Sequence, residues 1–148
     1  MAATIEKVLV IGMGKVGSLV GTLLHETGFE VTGMDAAEPQ GLAFAVIKGD
    51  VTNPESLAAS LKEVDAVVSC LPYNLNINVA HAAHAAGIHY FDLTEDVPTT
   101  KAILELSETS KGLMAPQCGL APGFIGIVGS HLTKAFTKIR AINLRVGA

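Results

Sequence analysis

Cys70 and Cys118 are the only cysteines in 148 residues, too few for a disulfide framework. Free thiols place the expected location in the cytoplasm, and the opening Met-Ala-Ala-Thr-Ile-Glu-Lys lacks the charge-then-apolar order of a signal peptide. Charge is scarce too: 16% of residues are Asp, Glu, Lys or Arg, against 49% hydrophobic. That balance excludes a disordered chain and predicts a core buried on more than one face, as in a sheet covered by helices on both sides. Ten Lys and Arg against fourteen Asp and Glu give a net charge of −4, with the basic residues scattered. Neither nucleic acid nor an anionic membrane surface is an expected partner. Long unbroken apolar runs are missing as well. The one uncharged stretch, 112–130, has the spacing Gly119-x-x-x-Gly123 but also Pro116, Gln117, Pro122 and five glycines. A helix broken twice by proline needs neighbouring spans to satisfy its backbone, and no other segment supplies them. No membrane span is expected.

The length suits one domain, 1–148. Strand and helix signals alternate along it, the pattern of parallel strands joined by crossover helices. Strands are expected at 7–11, 30–34, 43–48, 66–70, 88–92 and 113–115, with a closing strand at 141–146. Helices are expected at 16–27, stopped by Gly28, and at 54–63, started by Pro54 and capped by Asn53. Three more are expected at 76–86, stopped by Gly87, at 98–110, and at 125–136. The fold class is α/β: a Rossmann-type doubly wound, mainly parallel sheet with helices on both faces. The strand at 141–146 carries no stop signal, which predicts a domain continuing into a longer protein.

Gly12-Met13-Gly14-Lys15-Val16-Gly17 is a G-x-G-x-x-G run. Glycine triplets are common, but here an apolar strand precedes the motif, a helix follows, and Asp35 ends the next strand 23 residues after Gly12. Gly12 makes the tight turn, Gly14 lets backbone approach a pyrophosphate, and Gly17 lets the helix lie close to the sheet; Gly21 continues that small face. A diphosphate is held at such a helix start by unpaired N–H groups and the positive end of the dipole, so no basic cluster is needed. Asp35 would accept hydrogen bonds from the adenosine ribose and repel a 2′-phosphate, and Ala36-Ala37-Glu38 offers no arginine to receive one. NAD is expected, ahead of NADP. Asp50, with Val51 behind it, either faces the adenine amino group or caps the helix at Pro54. Cys70-Leu71-Pro72 follows the fourth strand at the same carboxyl edge, where it would line the middle of the cofactor.

Ser69-Cys70-Leu71-Pro72-Tyr73, Ala86-Gly87-Ile88-His89-Tyr90-Phe91-Asp92-Leu93 and Pro116-Gln117-Cys118-Gly119-Leu120-Ala121-Pro122-Gly123-Phe124, taken in order behind the glycine motif, resemble the N-terminal nucleotide-binding domain of the saccharopine dehydrogenase family. Members use NAD(P) to oxidise or form a C–N bond on lysine- or polyamine-derived amines. Ala121, where the reductases usually carry an acid before Pro-Gly, makes the chain more similar to the lysine 6-dehydrogenase-like branch. The resemblance implies cofactor contacts from Gly12, Met13, Gly14, Lys15, Val16, Asp35, Asp50, Val51, Cys70, Leu71, Pro72, Leu93 and Thr94. It puts Gly119, Pro122 and Gly123 near the nicotinamide and the substrate cleft. It also implies that the strand near 142–147 leads into a separate substrate and dimerisation domain, that the parent is a homodimer, and that the catalytic base lies outside these residues.

Other groupings carry less. His81 and His84 stand at i and i+3, with His89 five further on, but the helix ends at Gly87 and no acidic ligand completes a set, so no metal is expected. Cys70 and Cys118 have no C-x-x-C partner or neighbouring base to make a nucleophile. Tyr73 either donates to substrate or packs on the ribose. The alternative function is a regulatory dinucleotide sensor of the potassium-transport type, which shares the glycine motif, the acid after the second strand and a segment like Gly49-Asp50-Val51-Thr52-Asn53-Pro54. It leaves 117–124 unexplained.

Overall fold

The computed structural model describes residues 4–37 and 41–147. Glu38, the last residue of Ala36-Ala37-Glu38, lies outside the described residues, as do 1–3, 39–40 and 148. Six strands, β1 (Lys7–Ile11), β2 (Glu30–Asp35), β3 (Ala45–Lys48), β4 (Ala66–Ser69), β5 (His89–Asp92) and β6 (Met114–Ala115), form one sheet in the order β3-β2-β1-β4-β5-β6. Every pairing is parallel. Among the described residues five helices are interleaved: α1 (Lys15–Glu26), α2 (Pro54–Ser60), α3 (Tyr73–Ala86), α4 (Val97–Ser107) and α5 (Phe124–Thr133). The chain order reverses at β1, which pairs with β2 on one side and β4 on the other. The crevice beyond the carboxyl ends of β1 and β4 is where an open α/β sheet binds ligands.

The composition follows from two apolar layers. On one face Leu9, Ile11, Val67 and Tyr90 pack against Leu57 and Leu61, Val79, Ala80 and Ala83 of α3, and Ile103 of α4. On the other, Val8, Val10, Val31 and Ala66 pack against Val20 and Leu24 of α1. Strand residues alternate between the two, so β1 is buried on both faces. Truncating Leu9 to Ala costs about 2–5 kcal/mol at such a site. Helices do flank both faces, but unequally. Between α1 and β5 the second face keeps an open apolar groove lined by Val8, Val20, Leu24, Val68, Phe91 and Leu93.

Local signals set the helix ends. Asn53 Oδ1 accepts from the N–H groups of Glu55 and Ser56, capping α2 as expected. Gly87, left-handed at φ 72°, ends α3 and lets Ile88 N–H return to the Ala83 carbonyl. Helix α3 starts at Tyr73, three residues before the expected 76, because the turn begins directly after Pro72.

The strand expected at 141–146 does not form. Residues 141–147 carry no regular structure, and none of the six strands pairs with them. A strand is held by its ladder, and neither edge of the sheet, β3 or the two-residue β6, pairs with this segment. Lacking a partner, Leu144 packs on α5 at Gly129 instead.

Candidate functional site

The glycine loop sits at the switch between β1 and β4. Gly12 turns out of β1 with φ 88° while its N–H still completes the sheet at the Met34 carbonyl, 2.9 Å away. A Cβ on Gly12 would lie 3.0 Å from the Cys70 carbonyl and 3.1 Å from Leu71 Cδ2, so the loop is closed against the strand end after β4. A Cβ on Gly17 would collide with the Gly12 carbonyl oxygen; this is the close helix–strand approach that the third glycine permits. Gly21 similarly makes room for the Phe44 ring. Gly14 differs, with nothing within 4 Å of the corresponding position, and Lys15 and Val16 beside it are exposed.

Helix α1 has no side-chain cap at its start and no acidic residue in its first turn, so its leading N–H groups have no side-chain acceptor. Asn53 and Asp96 cap α2 and α4 from their side chains, whereas α1, α3 and α5 begin bare at Gly14, Pro72 and Gly123. An uncapped, unobstructed helix start behind a glycine turn fits the phosphates of a nucleotide.

Asp35, the last residue of β2, turns its carboxylate back over this loop. Oδ2 accepts from Met13 N–H at 2.7 Å and Oδ1 from Ala37 N–H at 3.0 Å. The Met13 carbonyl accepts from the Ser18 hydroxyl at 3.0 Å, and the Met13 side chain is buried against Gly33 of β2. Met13 therefore presents no side chain to a ligand. Each Asp35 oxygen keeps lone-pair capacity for a second donor such as a sugar hydroxyl. Asp50 does not cap α2: it accepts from the Thr52 hydroxyl at 2.6 Å and Thr52 N–H at 2.8 Å, and these two bonds hold its carboxyl below the ordinary carboxylate range. Val51 is partly buried against the core.

Beyond β4 lies a buried polar network that no local sequence motif marks. The Ser69 hydroxyl donates to Asn76 Oδ1 at 2.7 Å, and the Tyr90 hydroxyl donates to Asp92 Oδ2 at 2.7 Å and to the Asn76 carbonyl at 3.3 Å. Asp92 Oδ1 accepts from Thr94 N–H at 3.0 Å and Gln117 N–H at 3.1 Å, while the Asp92 carbonyl accepts from Cys118 N–H at 2.7 Å. Ser69, Asn76, Tyr90 and Asp92 are all fully buried, and Asn76 Nδ2 has no partner. The available signal was an acid ending a buried strand with a tyrosine two residues before it, on the same face. Burial first, and then the bond to Asp92, push the Tyr90 phenol far above its ordinary value, so it remains a donor.

The network brings Thr94 to the start of the loop 117–123. Gln117 is left-handed at φ 66°. The loop then closes on itself: Gly119 bridges Gly123, and Phe124 N–H donates to the Gly119 carbonyl at 2.8 Å. Gly119 lies against Leu93, whose carbonyl would be 3.1 Å from a Cβ there. Gly119, Gly123 and Leu93 thus come together, while Tyr73 stands at the head of α3, 58% exposed.

Burial raises the Cys70 thiol to about 11. Desolvation and then the Asp92 charge raise Cys118. Both thiols are held protonated at neutral pH, the opposite of what a nucleophile requires. His84 Nε2 pairs with the Thr109 hydroxyl at 3.0 Å, and His89 Nδ1 accepts from Leu113 N–H at 3.0 Å. No helix among the described residues is long and apolar enough to cross a membrane.

A switch-point crevice, a glycine turn, a bare helix start and an acid at the end of β2 together define a dinucleotide-binding α/β domain. Residues 8–115 match the family described as "Saccharopine dehydrogenase NADP binding domain", and the chain belongs to that family. Among solved structures it is similar to apo saccharopine dehydrogenase (L-Glu forming) from Saccharomyces cerevisiae, with TM-score 0.65 and 23% identity over 88% of this chain and 30% of that one. It is also similar to MoeE5 in complex with UDP-glucuronic acid and NAD, with TM-score 0.61 and 17% identity over 72% of this chain and 52% of that one. A D-isomer specific 2-hydroxyacid dehydrogenase family protein from Klebsiella pneumoniae 342 matches with TM-score 0.55 and 21% identity over 74% and 36%. At these identities the likeness is one of fold. The chain spans less than a third of the yeast enzyme.

Proposed function

We propose that this NAD(P)-binding domain serves an oxidoreductase that moves hydride between NAD and a CH–NH or CH–NH2 centre on a lysine-type amine. The observation that carries the cofactor assignment is the Asp35 carboxylate lying over the glycine loop. A negative group there meets ribose hydroxyls favourably and a 2′-phosphate unfavourably. The two arginines of the chain, Arg140 and Arg145, both lie in the segment after α5, far in sequence from β2. The family description names NADP; the acid at position 35 is the reason for proposing NAD here.

In this reading Gly12, Gly14, Lys15, Val16 and Gly17 present backbone to the diphosphate, with Met13 limited to its main chain. Asp35 receives the adenosine ribose, and Asp50 and Val51 border the adenine. Cys70, Leu71 and Pro72 line the middle of the cofactor. Leu93 and Thr94, with Gly119, Pro122, Gly123 and Tyr73, border the nicotinamide and the substrate. A bound nicotinamide supplies the hydride acceptor at its C4; the chain's task is to orient that ring and keep water from it. The acid–base group is assigned to a further substrate and dimerisation domain of a homodimeric, cytoplasmic parent. The resemblance of 116–124 to the lysine 6-dehydrogenase-like branch supports the lysine-type substrate, and the family match over 8–115 favours an enzyme over a potassium-transport sensor.

The test is to titrate the chain with ADP, NADH and NADPH by calorimetry, then to assay NAD reduction with lysine. Binding of ADP and tighter binding of NADH than NADPH are expected, with no turnover by these 148 residues alone. Absence of nucleotide binding would remove the cofactor assignment. Turnover at an ordinary enzymatic rate would overturn the placement of the acid–base group elsewhere.

A further inference from the structure

Asp92 is fully buried and accepts three hydrogen bonds through its side chain. Only one, from the Tyr90 hydroxyl, serves the interior. The other two fix backbone at the carboxyl edge: Thr94 N–H, just past β5, and Gln117 N–H, twenty-five residues away, both on Oδ1. The Asp92 main-chain carbonyl adds a clamp on Cys118 N–H. One residue therefore sets where the loop 117–123 leaves the sheet. It also holds Gln117 at φ 66°, a conformation that a non-glycine residue adopts only when its surroundings impose it. From there to Phe124 the loop is closed by its own Gly119–Gly123 contact and the Phe124 N–H bond. At the sheet it is held by the Asp92 bonds, with Gly119 resting on the Leu93 backbone.

We propose that Asp92 is a positioning residue for the nicotinamide half of the cofactor, its carboxylate holding loop 117–123 where that ring would dock while leaving the adenine half untouched. The inference rests on the dinucleotide-binding reading above. The sheet divides the two effects. The β1–β2–β3 side, with Asp35 and the glycine loop, receives one mononucleotide, and the β4–β5–β6 side receives the other. Among the hydrogen bonds of the described residues, those of Asp92 reach Tyr90, Thr94, Gln117 and Cys118 and none of the adenine-side residues.

The experiment compares the full chain with Asp92→Ala, Asp92→Asn and Tyr90→Phe, measuring ADP and NADH affinities by calorimetry and thermal unfolding alongside. Wild type is expected to bind both nucleotides. Asp92→Ala should lose NADH affinity by about tenfold or more, the scale of one or more net hydrogen bonds, with ADP affinity unchanged. Asp92→Asn keeps an acceptor for both N–H groups, and its amide can donate to the rotatable Tyr90 hydroxyl, so NADH affinity should stay within about threefold of wild type. Tyr90→Phe leaves both loop bonds in place and should lower the melting temperature without moving the NADH-to-ADP ratio. If the alanine chain does not fold, Asp92→Ser replaces it. Its hydroxyl can hold Thr94 N–H two residues on but is too short for Gln117, and the same selective loss is expected. Equal losses of ADP and NADH in Asp92→Ala, an unchanged ratio, or a ratio shift in Tyr90→Phe as large as in Asp92→Ala would each overturn the proposal. Failure of wild type to bind either nucleotide would instead remove the reading beneath it.

Discussion

Asp35 closes β2 and Asp92 closes β5, on opposite sides of the switch between β1 and β4, and each turns its carboxylate onto the backbone of a loop that begins elsewhere in the chain. Their surroundings differ. Asp35 is partly exposed and holds two N–H groups, so a sugar hydroxyl can add to or replace what it holds. Asp92 is sealed in the core with three donors, so no ligand competes for it. The same side chain at equivalent ends of two strands is a solvent-accessible acceptor on one side and a fixed internal support on the other. Solvent access decides which.

The largest expected effect removes the ground on which both halves stand. Gly17→Val drives side-chain carbons into the Gly12 carbonyl, and overpacking of this kind costs about 3 kcal/mol or more. ADP and NADH binding should both vanish in calorimetry, with a lowered melting temperature. Asp35→Ala comes next. Losing a charged acceptor, worth about 1.5–3 kcal/mol, should weaken ADP and NADH alike by about tenfold to a hundredfold. NADPH should weaken less, because its 2′-phosphate no longer meets the acid. This parallel loss contrasts with the selective loss expected at Asp92.

Tyr90→Phe acts on the buried side. Removing the hydroxyl that serves a buried carboxylate oxygen should cost about 1.5–3 kcal/mol of stability in denaturant unfolding. The thiols give a smaller, chemical readout: with Cys70 raised to about 11, iodoacetamide at pH 8 should label it more slowly than the exposed Cys118, and both more slowly than free cysteine, as read by mass spectrometry. The smallest effect concerns Asp65, which accepts from Glu6 and Lys7 N–H. Those bonds, Lys7 first, lower its carboxyl below the ordinary 3.8. A depressed value means stability that is fully present above pH 3.8 and is lost as pH falls through the folded value. Asp65→Asn should therefore melt slightly below wild type at pH 7, with the gap closing under acid.

Much of the fold was legible because its signals are local. Apolar runs ending in glycine marked β1, α1 and α3, Asn53 before Pro54 marked α2, and a glycine triplet between strand and helix located the crevice. The misses depend on partners distant in sequence. A β-like run at 141–146 reads the same whether or not another strand stands beside it, and here none does. Asp92 reads as a strand-terminal acid until Tyr90 and Gln117 are seen around it. The spacing from Gly12 singles out Asp35, but its hold on Met13 N–H depends on the curvature of the glycine loop, which spacing alone does not specify.

In the proposed reading, Asp35 makes the glycine crevice a site for NAD. Parallel calorimetric titrations of the chain with NADH and NADPH test it most directly. NADH should bind at least about tenfold more tightly, the scale of one charge-dependent contact, and Asp35→Ala should narrow the gap. NADPH binding as tightly as NADH or more tightly, or a preference indifferent to Asp35, would contradict it.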